Sequence, residues 1–315
     1  MNNTNIPRDC GLDTFLNELI RELSGLFGEG YTLTPRRQLR NNSTYLTGIS
    51  VKKDGSDIAP SVYINEHYNS FRQGASLRSI VYNLFETLKN AADKPAINVD
   101  TISFDPEDMR NDIFFKLINT ERNTELLKTV PHREFLDLSV IYCRYIVLEE
   151  RVLGSVLITN EFAKDHSLTE EELFSLAVKN TPRLFKPVIK PITEMLVMLG
   201  RKAAREVILP DCSEDALPMY VLSNEKYING ASTLLYPEFA RKISDFLTDE
   251  VFVIPSSIHE LILIPAVCDP EVILSMVREV NEAEVPTEDV LSDNIYRYSF
   301  KTGDFSLLEA ASVSA

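Results

Sequence analysis

What this sequence lacks narrows its chemistry before any motif is read. Its four cysteines, Cys10, Cys143, Cys212 and Cys268, lie far apart and match no metal-ligand spacing. Cys143 and Cys268 adjoin apolar strand-like runs, where a free thiol behaves as a small hydrophobe, so a reduced, cytoplasmic protein is the expectation. The four histidines form no pair at helical or strand spacing; only ligands converging from distant segments could hold a metal. Eleven scattered glycines build neither a phosphate loop nor a dinucleotide fingerprint, and no cofactor is expected. No apolar run approaches the ~20 residues of a membrane helix, and the opening residues have neither the basic nor the apolar region of a signal peptide. Cations are in short supply as well: 32 Lys and Arg stand against 47 Asp and Glu, a formal net charge of −15. Such a surface repels phosphate backbones, so direct nucleic-acid binding is not expected, nor is attachment to a membrane. An acidic excess also allows mimicry of nucleic acid in the basic groove of another protein.

What is present is the composition of a folded protein, 44% hydrophobic and 25% charged, with disorder expected only at Met1–Cys10 and roughly 306–315. Leu12, Phe15, Leu16, Leu19, Ile20, Leu23 and Phe27 recur at helical spacing before Gly28 and Gly30. Three β-like runs, 31–39, 45–53 and 58–65, and a helix at about 76–92 complete an αβββα order. Double-stranded RNA-binding domains share that order, but they use a basic second helix. Here residues 76–93 hold only Arg78 and Lys89, offset by Glu86 and Asp93. Asp105-Pro106-Glu107 opens a further helix whose apolar stripe reads Ile113, Phe114, Leu117 and Ile118.

A strand at 135–147, a strand at 155–159 and a helix from Thr169, capped by Glu172 and ended by Asn180-Thr181-Pro182, form a middle unit. A helix at about 193–207 sits among prolines, and residues 210–218 read as a linker. The last unit runs strand 219–222, strand 232–236, helix 237–247, hairpin 251–264, helix 270–282 and strand 295–300. The fold class is α+β: antiparallel sheets with helices packed on one face, an N-terminal αβββα unit and a C-terminal ββαββαβ unit. The expected divisions are 1–125, 126–210 and 211–315. A weak echo links 61–66, 155–161 and 232–238, each a strand end leading to Glu; the helix dipole favours a carboxylate there without shared ancestry.

Chemistry-bearing residues fall into two clusters. Val251–Ile254 and Leu261–Ile264 flank Pro255-Ser-Ser-Ile-His-Glu260, the pattern of a hairpin whose tip presents hydroxyls, an imidazole and a carboxylate. Ser256, Ser257, His259 and Glu260 are the catalytic candidates, since an imidazole can activate a serine when a distant acid such as Asp137 orients the ring. No Gly-x-Ser-x-Gly elbow accompanies them, and the same residues equally satisfy the backbone of a turn. In the second cluster His132 and Arg133 precede an apolar strand containing Asp137, a carboxylate that needs a partner such as Arg133 or Arg183. His132 and Arg133 alternatively form an anion pocket. Asn160, Asn180 and Arg183 flank the helix of the same unit as caps or as ligand contacts. His67 and His166 read as exposed.

The segments Pro131–Leu138, Asn180–Leu184, Met219–Asn224, Gly230–Pro237, Pro255–Glu260, Val277–Asn281 and Leu291–Tyr296 together resemble an uncharacterised domain-of-unknown-function family of gut anaerobic bacteria, over about Leu12–Tyr298. The resemblance implies a standalone bacterial cytoplasmic protein, of the accessory kind found on mobile elements, and carries no catalytic residues. The leading expectation is a non-catalytic binding or regulatory protein acting on another protein through its acidic surface and the 255–260 tip. The alternatives are a hydrolase using His259 with Ser256 or Ser257, and an acidic inhibitor mimicking nucleic acid.

Overall fold

A computed structural model describes residues 6–56, 59–93, 106–148, 151–198 and 217–308. Residues 210–216 of the linker expected at 210–218, Cys212 and the expected helix beyond Met198 lie outside the described residues. The chain separates into two compact units, residues 1–40 with 44–101, and Asn41–Ser43 with 102–315.

In the first unit α1 (Leu12–Phe27) precedes β1 (Tyr31–Leu39), β2 (Tyr45–Lys53) and β3 (Ser61–Tyr63), an antiparallel sheet in the order β1-β2-β3. α2 (Asn65–Arg72) and α3 (Leu77–Ala92) follow. Period-2 alternation aims Ile49 and Val51 of β2 at one face, where Phe15, Leu19 and Leu23 of α1 and Ile80, Leu84 and Leu88 of α3 bury them. α2 adds a helix to the αβββα order and carries His67, half-buried rather than exposed. It starts directly after β3 and includes Glu66, the carboxylate of that member of the echo.

The second unit holds α4 (Pro106–Asn111), β4 (Ile113–Asn119), α5 (Thr124–Leu127), β5 (His132–Phe135), β6 (Leu138–Leu148), β7 (Arg151–Leu157), α6 (Asn160–Asp165), α7 (Glu170–Leu184), β8 (Pro187–Pro191) and α8 (Ile192–Met198). It continues with β9 (Tyr220–Asn224), α9 (Phe239–Ile243), β10 (Glu250–Ile254), β11 (Leu261–Pro265), α10 (Pro270–Ala283), β12 (Ile295–Ser299) and β13 (Phe305–Leu308). Strand β6 pairs β4 along one edge and both β5 and β7 along the other. The six-stranded sheet runs β13-β12-β10-β11-β9-β8, antiparallel throughout. The class is therefore α+β with antiparallel sheets, as the sequence implies.

Alternation along β10 explains how both sheets share a core. Val251 and Val253 join Phe115, Leu117, Val140 and Tyr142 of the four-stranded sheet, together with Leu173 and Ala177 of α7. Phe252 and Ile254 face the other way, onto Ile273, Leu274 and Val277 of α10. Because one apolar cluster runs from Met109 to Tyr298, residues expected as separate middle and C-terminal units form one unit.

Several local expectations give way. Ile113–Ile118 is strand, not helix: Phe115 is as buried as its neighbours, and a run buried on both faces carries no period to distinguish the two. Residues 230–235 form a 3₁₀ turn rather than a strand, for the same reason. α7 passes through Pro182 to Leu184, since Asn180, Thr181 and Arg183 bond to α4 and to β4. The capping box of Thr169 and Glu172 is present. Pro187 and Pro191 bound the edge strand β8, where a missing N–H is tolerated. Ser306, expected in a disordered tail, pairs with Arg297.

Candidate functional site

The hairpin tip 255–260 is packed against its neighbours rather than presented. Ser256 and Ser257 are 9% and 5% exposed. Main-chain bonds from Leu291 and Ser292 to the carbonyls of Ser256 and Pro255, and a bridge of Ser257 to Val290, cover it on one side. On the other side Ala231 N–H donates to the Ile258 carbonyl, and Ser223 Oγ donates to the His259 carbonyl at 2.7 Å. The His259 imidazole accepts from Asn229 N–H at Nδ1 (3.3 Å) and donates from Nε2 to Asp289 (3.3 Å). Ser257 Oγ accepts from the main-chain N–H of His259 at 3.0 Å and serves Glu260 as a donor. Imidazole and hydroxyl are thus spent on different partners, and the acid beside the ring is Asp289, not Asp137.

Burial pushes the Glu260 carboxyl above its usual range, aided by the Asp289 charge and opposed by Ser257 and His259. A carboxyl raised in this way contributes stability below its unfolded pKa and loses it as pH rises through the folded value. Glu260→Gln should therefore raise Tm by on the order of 2 °C at about pH 7 and leave it unchanged near pH 4. Thermal melts at the two pH values check this; an equal shift at both would mean that the charge is not the cause.

Asp137 sits in the two-residue turn between β5 and β6, next to Leu136 at φ 55°. Its carboxylate accepts from Ser292 Oγ (2.5 Å), Asn294 Nδ2 (3.0 Å) and Tyr296 OH (2.5 Å). Neither Arg133 nor Arg183, the partners expected from sequence, reaches it. Arg133 instead forms a two-pronged bond to Glu170, bonds Glu171 and lies 4.0 Å over the Phe174 ring. Alternation on β5 sends Arg133 to the α7 side of the strand. Burial works to raise the Glu170 carboxyl, but bonds from Arg133 and Tyr142 outweigh it and hold the group below the usual carboxylate range. Arg183 donates to the Asn111 carbonyl, and Asn180, 3% exposed, donates to Arg110 and Ile113 carbonyls. Both hold the α4–β4 connection in place.

The segment 287–296 is the common partner of these scattered positions. It supplies Asp289 to His259, Ser292, Asn294 and Tyr296 to Asp137, and Asp293 to Arg122 and Asn281. Its Leu291 carbonyl accepts from Asn119, and Asn42 donates to Thr287 and Val290 carbonyls while sharing bonds with Asn123. Every one of these bonds ends on a neighbouring group of the fold, so the network reads as a fastening. Asn42, Asn119 and Asn123 carry no sequence signal, being asparagines of a 3₁₀ turn, of the end of β4 and of the turn that follows it.

His132 and Asn160 do come together. They border an open cleft of about 590 Å³ whose floor is Leu127, Val130, Ala163 and Leu168 and whose rim is Lys128, His132, Asn160, Lys164 and Glu170. The volume falls within the range of small-ligand and peptide sites. Asn160 Nδ2 donates to the Lys128 carbonyl and its N–H to the Thr129 carbonyl, closing one end; Thr159 is the cap of α6. His132 Nδ1 lies 3.1 Å from the Val130 carbonyl, which directs its proton there and leaves Nε2 as an acceptor. Lys128 and Lys164 have no distinguishing spacing in the sequence, one directly after the short helix α5 and the other within α6. His166, expected to be exposed, is half-buried and stacked on Phe162. Among the described residues no group of His, Cys, Asp and Glu could hold a metal ion, and no helix is long and apolar enough to cross a membrane.

No curated protein and no solved structure matches this chain. Residues 12–299 match the model of the family of unknown function DUF5688, nearly the whole chain, and the protein belongs to that family.

Proposed function

We propose that the chain is a non-catalytic binding protein of bacterial origin that holds a segment of another protein in the cleft rimmed by Lys128, His132, Asn160 and Lys164. One observation carries this reading. Ser257, His259 and Glu260 of the 255–260 tip are committed to neighbours, whereas the cleft combines an apolar floor with two ammonium groups on its rim, Lys164 and Lys128, the latter paired with Glu125. That combination suits a peptide bearing an apolar side chain beside a carboxylate, with the floor supplying affinity and the rim direction. The tip 255–260 serves as part of the frame instead of the contact surface expected from sequence.

Affinity capture with purified protein, compared with a Lys128→Glu/Lys164→Glu variant, tests it. A partner retained by the native chain should be lost from the variant, with a drop in affinity of about tenfold or more. Assays with ester, peptide and phosphoester substrates should show no turnover in either. A hydrolytic activity that disappears in His259→Ala or Ser257→Ala would overturn the reading in favour of the hydrolase.

A further inference from the structure

The net charge of −15 is not spread along the chain. Acidic and basic side chains balance over residues 1–93, so the whole excess lies beyond Asp93. Within the first unit, Gly30 to Lys53 contains no carboxylate at all, yet carries Arg36, Arg37, Arg40, Lys52 and Lys53. This stretch is the β1–β2 hairpin. Lys53 is paired with Asp93, but among the described residues Arg36, Arg37 and Arg40 form no ion pair, and all three are exposed. Two are stacked on tyrosines: Arg37 lies 4.6 Å from the Tyr45 ring and Arg40 5.0 Å from the Tyr63 ring. Tyr45 is 51% exposed.

Cations without carboxylates on an acidic protein select for an anion, and flat guanidinium–tyrosine stacks add π faces. We propose that the β1–β2 hairpin binds single-stranded nucleic acid, with Arg36, Arg37 and Arg40 meeting phosphates and Tyr45 offering a base a stacking surface. Single strands fit better than a duplex. A duplex reader needs cations on the second helix, and α3 has only Arg78 and Lys89, the latter near Asp93. By strand alternation Arg37 and Tyr45 lie on one face of the hairpin and Arg36, with Tyr63 under Arg40, on the other. The exposed hairpin thus offers cations and an aromatic ring on both faces to an unstacked chain that wraps it. The expectation against nucleic acid rested on whole-chain charge and on α3, and neither describes this hairpin.

Fluorescence anisotropy with the full chain and fluorescein-labelled oligo-dT and oligo-U of about 20 nucleotides tests the proposal. Binding should weaken with salt along a log–log slope of about −2, at about 0.7 per phosphate contact on a single strand. Replacing all three arginines by serine should weaken it at least about tenfold, and Tyr45→Ala about fivefold or more. The triple Arg→Lys variant, which preserves charge and removes the planar stack, should fall between native and serine variants. The proposal is overturned if neither oligonucleotide binds at low salt, if the serine variant binds as tightly as the native chain, or if labelled poly-glutamate binds as tightly as the oligonucleotides.

Discussion

Asp137→Ala should lower the stability of the second unit by about 4 kcal/mol, seen as a fall in Tm on the order of 10 °C. The carboxylate accepts from three side chains, and removing it leaves all three donors without their charged acceptor. Tyr296 is fully buried, so its hydroxyl cannot turn to solvent for a replacement. The turn itself also suffers, because Leu136 holds a left-handed backbone beside the anchored carboxylate. Tyr296→Phe removes the bond to Asp137 but leaves the carboxylate and its other two donors in place, and should cost about 1–2 kcal/mol. Asp137→Asn retains one acceptor oxygen and should fall between the two. Chemical denaturation of the set measures this order. A loss below about 1 kcal/mol for the alanine variant would show that the 292–296 segment does not depend on this carboxylate.

Gly230→Ala should be comparably damaging, for a steric reason rather than an electrostatic one. A Cβ at this position would overlap Ser223 Oγ and the carbonyl oxygen of His259. Those two atoms are bonded to each other, so neither can yield without breaking the contact that holds the hairpin tip. The adjacent Ala231 N–H bond to Ile258 would open as well. Overpacking of a close backbone approach costs on the order of 3 kcal/mol, and here it should also loosen His259. The His259 ring resonances in an NMR spectrum should broaden or shift in this variant, while those of His132 stay in place. Unchanged Tm together with an unchanged His259 signal would mean that the close approach does not hold in solution.

Both predictions concern positions whose roles the sequence marks only faintly. Asp137 stands out as a carboxylate in an apolar stretch, and its need for a partner follows from desolvation. The identity of that partner does not, because Ser292, Asn294 and Tyr296 are more than 150 residues away and are polar types common in any loop. Gly230 has an ordinary negative φ, so nothing in a turn pattern distinguishes it; only the neighbouring chain makes a side chain intolerable. His259 is visible as an imidazole flanked by serines, yet its real partner, Asp289, comes from the loop after α10.

Amphipathic helices with clear ends were legible in the residues alone. α1 and α3 bury the apolar stripes that their spacing implies, α10 forms over the range expected for it, and the Thr169–Glu172 box starts α7, because period and capping are local properties. The β10–β11 hairpin was equally legible, since its two runs pair in register across the short tip. Tertiary structure alone decided that 113–119 is a strand, that 230–235 is a 3₁₀ turn, and that two expected units share one core. It also decided that the 255–260 tip is enclosed while His132 and Asn160 meet at a cleft. The reason is physical. A run buried on every side loses its periodic signature, and a polar side chain declares its chemistry but not the distant group that will satisfy it.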